Sequence, residues 1–155
     1  MDIYDISFFL STMWVGPFWF YMLVYPQSER TTMLMKGPWF FVGPIAIWFA
    51  ITLLNPSGLI ELFQDMVNPA NSLGALASLL ATPAGASAAW AHMVAGDIFV
   101  TRWIWKRSLE QNTNHWVMRS SVFFGVMLMP IGIAIHMLLG NMQSESEDEV
   151  VENQI

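Results

Sequence analysis

In the stretch WAHMVAGDIFVTRWIWKR, residues 90 to 107, a histidine, an aspartate and an arginine stand within eleven residues of one another: His92, Asp97 and Arg102. Two groups of the same kind follow, Arg119 and His136. An imidazole and a carboxylate are the pair from which general acid–base catalysis is built, and a nearby guanidinium keeps a carboxylate ionised. The surroundings are apolar, and a central aspartate costs about 3 kcal/mol on membrane-insertion scales, so it normally faces a cavity or a partner. Asp97 is therefore read either as a working group or as half of an ion pair that locks helices together. Arg102 and Arg119 are the candidates to reach it, the alternative for both being extension to the headgroup layer.

Helix geometry separates the first three groups. At about 100° per residue, Asp97 lies about 140° from His92, and Arg102 about 140° further on. They cannot form a triad on one face, so other helices must answer them. In an antiparallel arrangement of the last two helices, His92 would lie level with Pro130, roughly 9 Å from His136 along the membrane normal. That offset disfavours a bis-histidine haem and leaves proton or substrate contact, or hydrogen bonding between helices, as the readings for both histidines.

The elements that would carry these groups follow from composition. The chain has 155 residues, 55% of them hydrophobic and 12% charged, with 12 methionines, 8 tryptophans and no cysteine. Its mean hydropathy is +0.47, too apolar for an ordinary soluble domain. Without cysteine, disulfide scaffolds, thiolate metal sites and thiol nucleophiles are excluded, and no metal site is expected. Methionines such as Met127 and Met129 are read as adaptable packing.

Charged residues leave four long gaps, from Ile6 to Ser28, Gly37 to Ile60, Met66 to Gly96 and Ser120 to Ser144. Each exceeds the roughly 20 residues that cross a hydrocarbon core. The expected fold is an all-α integral membrane protein, a four-transmembrane-helix bundle over residues 1–140 with spans at about 6–25, 38–54, 83–105 and 116–139. A short amphipathic interfacial helix with Glu61 and Asp65 toward water is expected between the second and third spans. Residues 66–82 read as re-entrant, as interfacial or as the start of the third span. Pro130 is expected to kink the fourth. The tail, 141–155, is acidic and reads as disordered.

Four spans place both termini on one side. All six basic residues, Arg30, Lys36, Arg102, Lys106, Arg107 and Arg119, then fall on the other, which the positive-inside rule makes cytoplasmic or stromal. The termini are expected outside the cytoplasm or in the thylakoid lumen. The N-terminal stretch MDIYDISFFL lacks the basic region of a secretory signal and the Arg/Ser-rich character of a transit peptide, and reads as a retained span in a bacterial inner or thylakoid membrane. Trp39, Trp103, Trp105 and Trp116 suit an interfacial belt, whereas Trp14, Trp19, Trp48 and Trp90 lie deeper and suit an apolar pocket. The small residues of PAGASAAWAH permit close helix approach or a flat ligand against the backbone. There is no internal repeat, no coiled-coil heptad and no basic groove, so nucleic acid is not an expected partner.

The pattern W-x-H-x4-D-[IL]-F-x2-R-W, carried by Trp90, His92, Asp97, Ile98, Phe99, Arg102 and Trp103, together with Arg119 and the P-I-G-x3-H segment from Pro130 to His136, resembles the abscisic-acid-deficient-4-like family of four-helix membrane proteins. The resemblance is specific over about Ala81 to His136 and rests on hydropathy and loop lengths before that. It implies a part in carotenoid metabolism, at the conversion of violaxanthin to neoxanthin. That conversion opens an epoxide and creates an allene with no net redox change, so it needs an acid for the epoxide oxygen and a base for a carbon-bound proton. On this reading Asp97 and His92 are the acid–base groups, Arg102 or Arg119 sets the carboxylate's charge, and the bound molecule is a carotenoid-like hydrophobic ligand rather than a cofactor. Membrane lipid is the surrounding partner. Two other readings stand beside it: a non-enzymatic accessory subunit that contacts a membrane protein partner, and a haem- or chlorophyll-binding protein.

Overall fold

A computed structural model describes residues 1–67 and 71–140, with the side chains of Asp65 and Met66 also outside the description. The expected disordered tail, 141–155, and part of the 66–82 stretch lie outside the described residues. Among the described residues the chain is helical and contains no strand. The helices are α1 (Ile3–Val24), α2 (Glu29–Lys36), α3 (Trp39–Leu54), α4 (Pro56–Met66), α5 (Ser72–Leu80), α6 (Pro83–Glu110), α7 (His115–Met127) and α8 (Met129–Ile135), followed by a π-helical turn, His136–Gly140.

Among the described residues, two stretches are long and apolar enough to cross a membrane, α1 and the run from Glu29 to Leu54, and a third is added if α5 and α6 are taken together as one bent span. The first three expected spans thus coincide with α1, α3 and α6. Residues 72–80 do not extend α6: α5 meets it at an angle of 96°. Thr82 makes the corner, because its hydroxyl donates to the Leu79 carbonyl at 2.8 Å and accepts from the Gly85 amide at 3.0 Å, capping α6 at its start. The expected amphipathic helix is α4, on which Glu61 is exposed.

The fourth expected span is where the structure differs. Helix α7 stops at Met127, and Leu128, with φ −151° and ψ 78°, turns the chain. Pro130 does not kink a continuous helix: it sits in the first turn of α8, where a missing N–H costs nothing. Helix α8 then folds back along α7. A Cβ added to Gly132 would strike the Gly125 backbone and lie 2.7 Å from the Ser121 carbonyl, while one added to Gly140 would touch Thr113, in the turn that precedes α7. Residues 115–140 are therefore a helical hairpin that returns to where it began. The placement of both termini on one side rested on four crossings, and among the described residues this segment contains no helix long enough to count as a fourth candidate span.

The chain divides into two compact units. One comprises Met1–Val15 and Phe41–Ala95, the other Gly16–Phe40 and the chain from Gly96 onward. In the first unit Ser11, Val15, Ile51, Ala91 and Val94 are buried, the Phe8 ring stacks on Trp90 at 4.7 Å, and Trp90 Nε1 donates to Thr12 Oγ1 at 2.8 Å. The second unit buries Met22, Met35, Ile98, Ile104, Met118 and Val122, and Gly125 lets α7 approach Thr101 of α6.

Two outcomes are expected. Gly132→Val should destabilise the protein by about 1–3 kcal/mol, because backbone atoms cannot yield, whereas Gly96→Ala, with open space at its Cα, should gain up to about 1 kcal/mol of helix propensity; thermal melts in detergent compare the two. In the natural cysteine-free background, a cysteine replacing His115 and one appended after Ile155 should react with an impermeant maleimide from the same side of the membrane. Labelling from opposite sides would mean that the hairpin crosses.

Candidate functional site

The first unit contains a cleft of about 930 Å³, at the upper end of the roughly 300–1,000 Å³ usual for small-molecule sites. Four helices line it: Trp48, Ile51 and Thr52 from α3, with Asn55 just after it, Gly58, Glu61 and Leu62 from α4, Ala75 and Leu79 from α5, and Gly85, Ala88, Ala89 and His92 from α6. The α6 contribution follows from periodicity, since positions 85, 88, 89 and 92 recur on one helix face. Three of them are Gly or Ala, which leaves a smooth wall ending in an imidazole. Gly85 lies directly against the Leu79 carbonyl and Gly58 comes within Cβ reach of the Leu79 side chain, so small residues on α4 and α6 hold α5 close.

Among the described residues, Glu61 and His92 are the titratable side chains of this lining, and both are exposed. The His92 ring lies 6.2 Å from that of Trp48, tilted by 43°. Asn55 is held on both sides, accepting from the Tyr4 hydroxyl at 3.2 Å and donating through Nδ2 to the Ile51 carbonyl at 3.2 Å. The cleft thus offers long apolar walls, fixed amide and hydroxyl dipoles, one imidazole and one carboxylate. Such a set can hold a largely hydrophobic molecule and move a proton onto or off its polar part.

Of the residues singled out in the sequence, His92 lines this cleft, and Asp97, Arg102, Arg119 and His136 belong to the second unit. Neither arginine answers Asp97. Arg102 donates through Nε to the Met35 carbonyl at 2.8 Å, with its guanidinium carbon 5.1 Å from the centre of the Phe40 ring. Arg119 is exposed and makes a long contact, 3.5 Å, to the Val24 carbonyl. Among the described residues the Asp97 carboxylate has no hydrogen-bond or ion-pair partner; the carbonyl of the same residue accepts from Thr101 Oγ1 at 2.7 Å. Of the two arrangements open to the arginines, pairing with Asp97 is not the one observed: Arg102 finds a backbone acceptor on α2 and an aromatic face beside it.

His136 is almost wholly buried at 1% exposure. Its Nδ1 is hydrogen-bonded to Ser108 Oγ at 3.2 Å and its ring meets Trp103 edge-on at 5.5 Å, so it fastens the hairpin's end to α6. Among the described residues no group of three or more metal-ligating side chains occurs. Of the deeper tryptophans, Trp48 lines the cleft, whereas Trp14 packs over Gly43 and Trp19 donates to the Val122 carbonyl at 3.2 Å. The residue that sequence reasoning did not single out is Glu61. It was assigned to water because α4 is amphipathic, and only the folding of α5 against α4 turns that face into a cleft.

Residues 6–136 match the ABA DEFICIENT 4-like family. The chain belongs to this family. The match takes in His92, Asp97, Arg102, Arg119 and, at its last position, His136. A curated relative is Protein ABA DEFICIENT 4, chloroplastic, of Arabidopsis thaliana, 26% identical over 131 residues. That alignment covers 83% of this chain and 58% of the relative, so the chain spans a little over half of the plant protein's length. No solved structure matches.

The geometry around Arg102 generates a double-mutant test. Arg102→Ala should cost about 1–2 kcal/mol of stability through loss of the carbonyl bond and the ring contact. The same cost, within about 0.5 kcal/mol, is expected when Asp97 is already Asn, because residues without a shared partner behave additively. A larger coupling energy in urea or thermal unfolding would restore the ion pair.

Proposed function

We propose that this chain is an integral membrane protein, crossing the bilayer more than once, that takes a carotenoid of the xanthophyll epoxide type into the α3–α6 cleft and isomerises it. The observation that carries the reading is the cleft itself: large, mostly apolar in its walls, and furnished with one imidazole and one carboxylate. The motif resemblance supplies the substrate class, and the family match supports that resemblance. The bacterial inner or thylakoid membrane is the proposed setting.

The reaction divides between two groups. One delivers a proton to the epoxide oxygen as the C–O bond breaks, and the other accepts a proton from carbon as the new double bond forms. Atoms and charge balance, and no oxidant or reductant is consumed. His92 is proposed for one of these roles and Glu61 for the other, each being at the cleft. Asp97 remains in the proposal as the carboxylate without a partner on the same helix as His92, since an unpartnered carboxylate within a span is costly to keep for packing alone. Arg102 is assigned to positioning α6, and His136 to fastening the hairpin.

The test is expression in carotenoid-producing cells followed by pigment extraction, comparing wild type with His92→Ala, Glu61→Gln and Asp97→Asn. The expected result is a pigment profile altered by the wild type, with conversion reduced by about 10²–10⁴-fold in His92→Ala and Glu61→Gln, the usual contribution of a general acid or base. Unchanged pigments, with loss of a co-purifying complex in the Asp97 variant, would sink the enzyme and favour an accessory subunit. An absorption band from haem or chlorophyll in the purified protein would also overturn the reading.

A further inference from the structure

A second, smaller cleft, of about 290 Å³, lies in the other unit, where α1 ends and α7 begins. Among the described residues its polar lining consists of Tyr25, Gln27, Ser28, His115 and Arg119. Every one of these side chains can donate a hydrogen bond, and none is a carboxylate. His115 and Arg119 are four residues apart and so share a face of α7. His115 is also the first residue of α7, so the helix's N-terminal partial positive charge falls at the same place.

Among the described residues Arg119 has no ion pair, and its one hydrogen bond is the 3.5 Å contact to the Val24 carbonyl, which leaves most of its five donors unused. Glu29, next in sequence to Ser28, begins α2 outside the lining and makes no ion pair among the described residues. The cleft lies just past the end of α1, a helix long and apolar enough to cross a membrane, and Tyr25 there is 54% exposed and Trp116, beside His115, 78% exposed; such amphipathic rings settle at headgroup level in membrane proteins. A planar guanidinium, an imidazole and hydroxyl donors at that level match a phosphate oxyanion.

We propose that this cleft is an anion site that holds a phosphate group, with Arg119 as its principal ligand and His115, Ser28 and Tyr25 as supporting donors. The same chemistry admits two sources, the phosphodiester of an anionic lipid or a free phosphate. The site is separate from the α3–α6 cleft and does not depend on the carotenoid reading.

Native mass spectrometry of the full chain in neutral detergent tests it, with phosphatidylglycerol, a digalactosyl lipid of the same acyl chains and inorganic phosphate as the probes. The expected result is a retained phosphatidylglycerol adduct that the galactolipid does not reproduce. Arg119→Ala should weaken it by about tenfold or more, the scale of a lost charge-assisted hydrogen bond, and Arg30→Ala, outside the lining, should not. If Arg119→Ala does not fold, Arg119→Lys serves: it keeps the charge and loses the fork, so retention should fall by several-fold in a protein that melts normally. Inorganic phosphate that binds with the same Arg119 dependence and displaces the lipid would assign the site to free phosphate. Equal retention of the galactolipid, or full retention of phosphatidylglycerol in Arg119→Ala and Arg119→Lys, would overturn the proposal.

Discussion

Inside a bilayer a backbone carbonyl or amide has no water to turn to, and one left without a partner costs several kcal/mol. Every interruption of a helix in this chain has to be made good by some other group. The groups that do so are mostly side chains. Trp105 Nε1 donates to the Pro26 carbonyl at 3.0 Å just past the end of α1, and Thr31 Oγ1 reaches the Tyr25 carbonyl at 2.6 Å. Arg102 serves Met35 near the end of α2 in the same way, and Thr82 serves both sides of the α5–α6 corner. This is why the arginine of the W-x-H-x4-D-[IL]-F-x2-R-W pattern is found on a carbonyl and a ring rather than on a carboxylate. A guanidinium that completes a helix end and covers an aromatic face is satisfied without an ion pair.

The same demand shapes the hairpin. The chain can reverse after Met127 because glycine at 125 and 132 brings the two backbones together and a proline opens α8 where no amide is needed. The buried end of the hairpin is then closed by the His136–Ser108 bond. A histidine that looks like a ligand or a proton carrier in the sequence is occupied by a serine one helix away.

The first three apolar helices were legible because hydropathy and charge spacing are one-dimensional quantities and each of these helices is long enough to show them. The hairpin was not, since a reversal within an apolar run changes neither hydropathy nor charge. Its signals were local and stereochemical: two glycines seven residues apart, and a proline that could begin a helix as well as bend one. At the site, His92 was legible from its type and from the small residues that precede it at helical spacing. Glu61 was not, because a carboxylate on an amphipathic helix usually faces solvent, and what faces it here is set by a corner at Thr82 that joins elements distant in hydropathy terms. The missing Asp97–arginine pair shows the limit of reasoning from charge alone, which does not count carbonyls.

The corner at Thr82 bears on time as well as on shape. Helices α4 and α5 form one wall of the large cleft, and α5 is joined to α6 through a single capped turn, outside the hydrogen-bond ladder of α6 itself. Swinging that wall outward would separate Leu79 from Gly85 and require no break in a long helix. On the proposed reading, release of a held molecule would then depend on the Leu79–Gly85 contact and the Thr82 hydroxyl, while the α6 side of the cleft would not have to move. Release and scaffold stability would then be adjustable independently, the first through residues 79, 82 and 85, the second through the packing of α6.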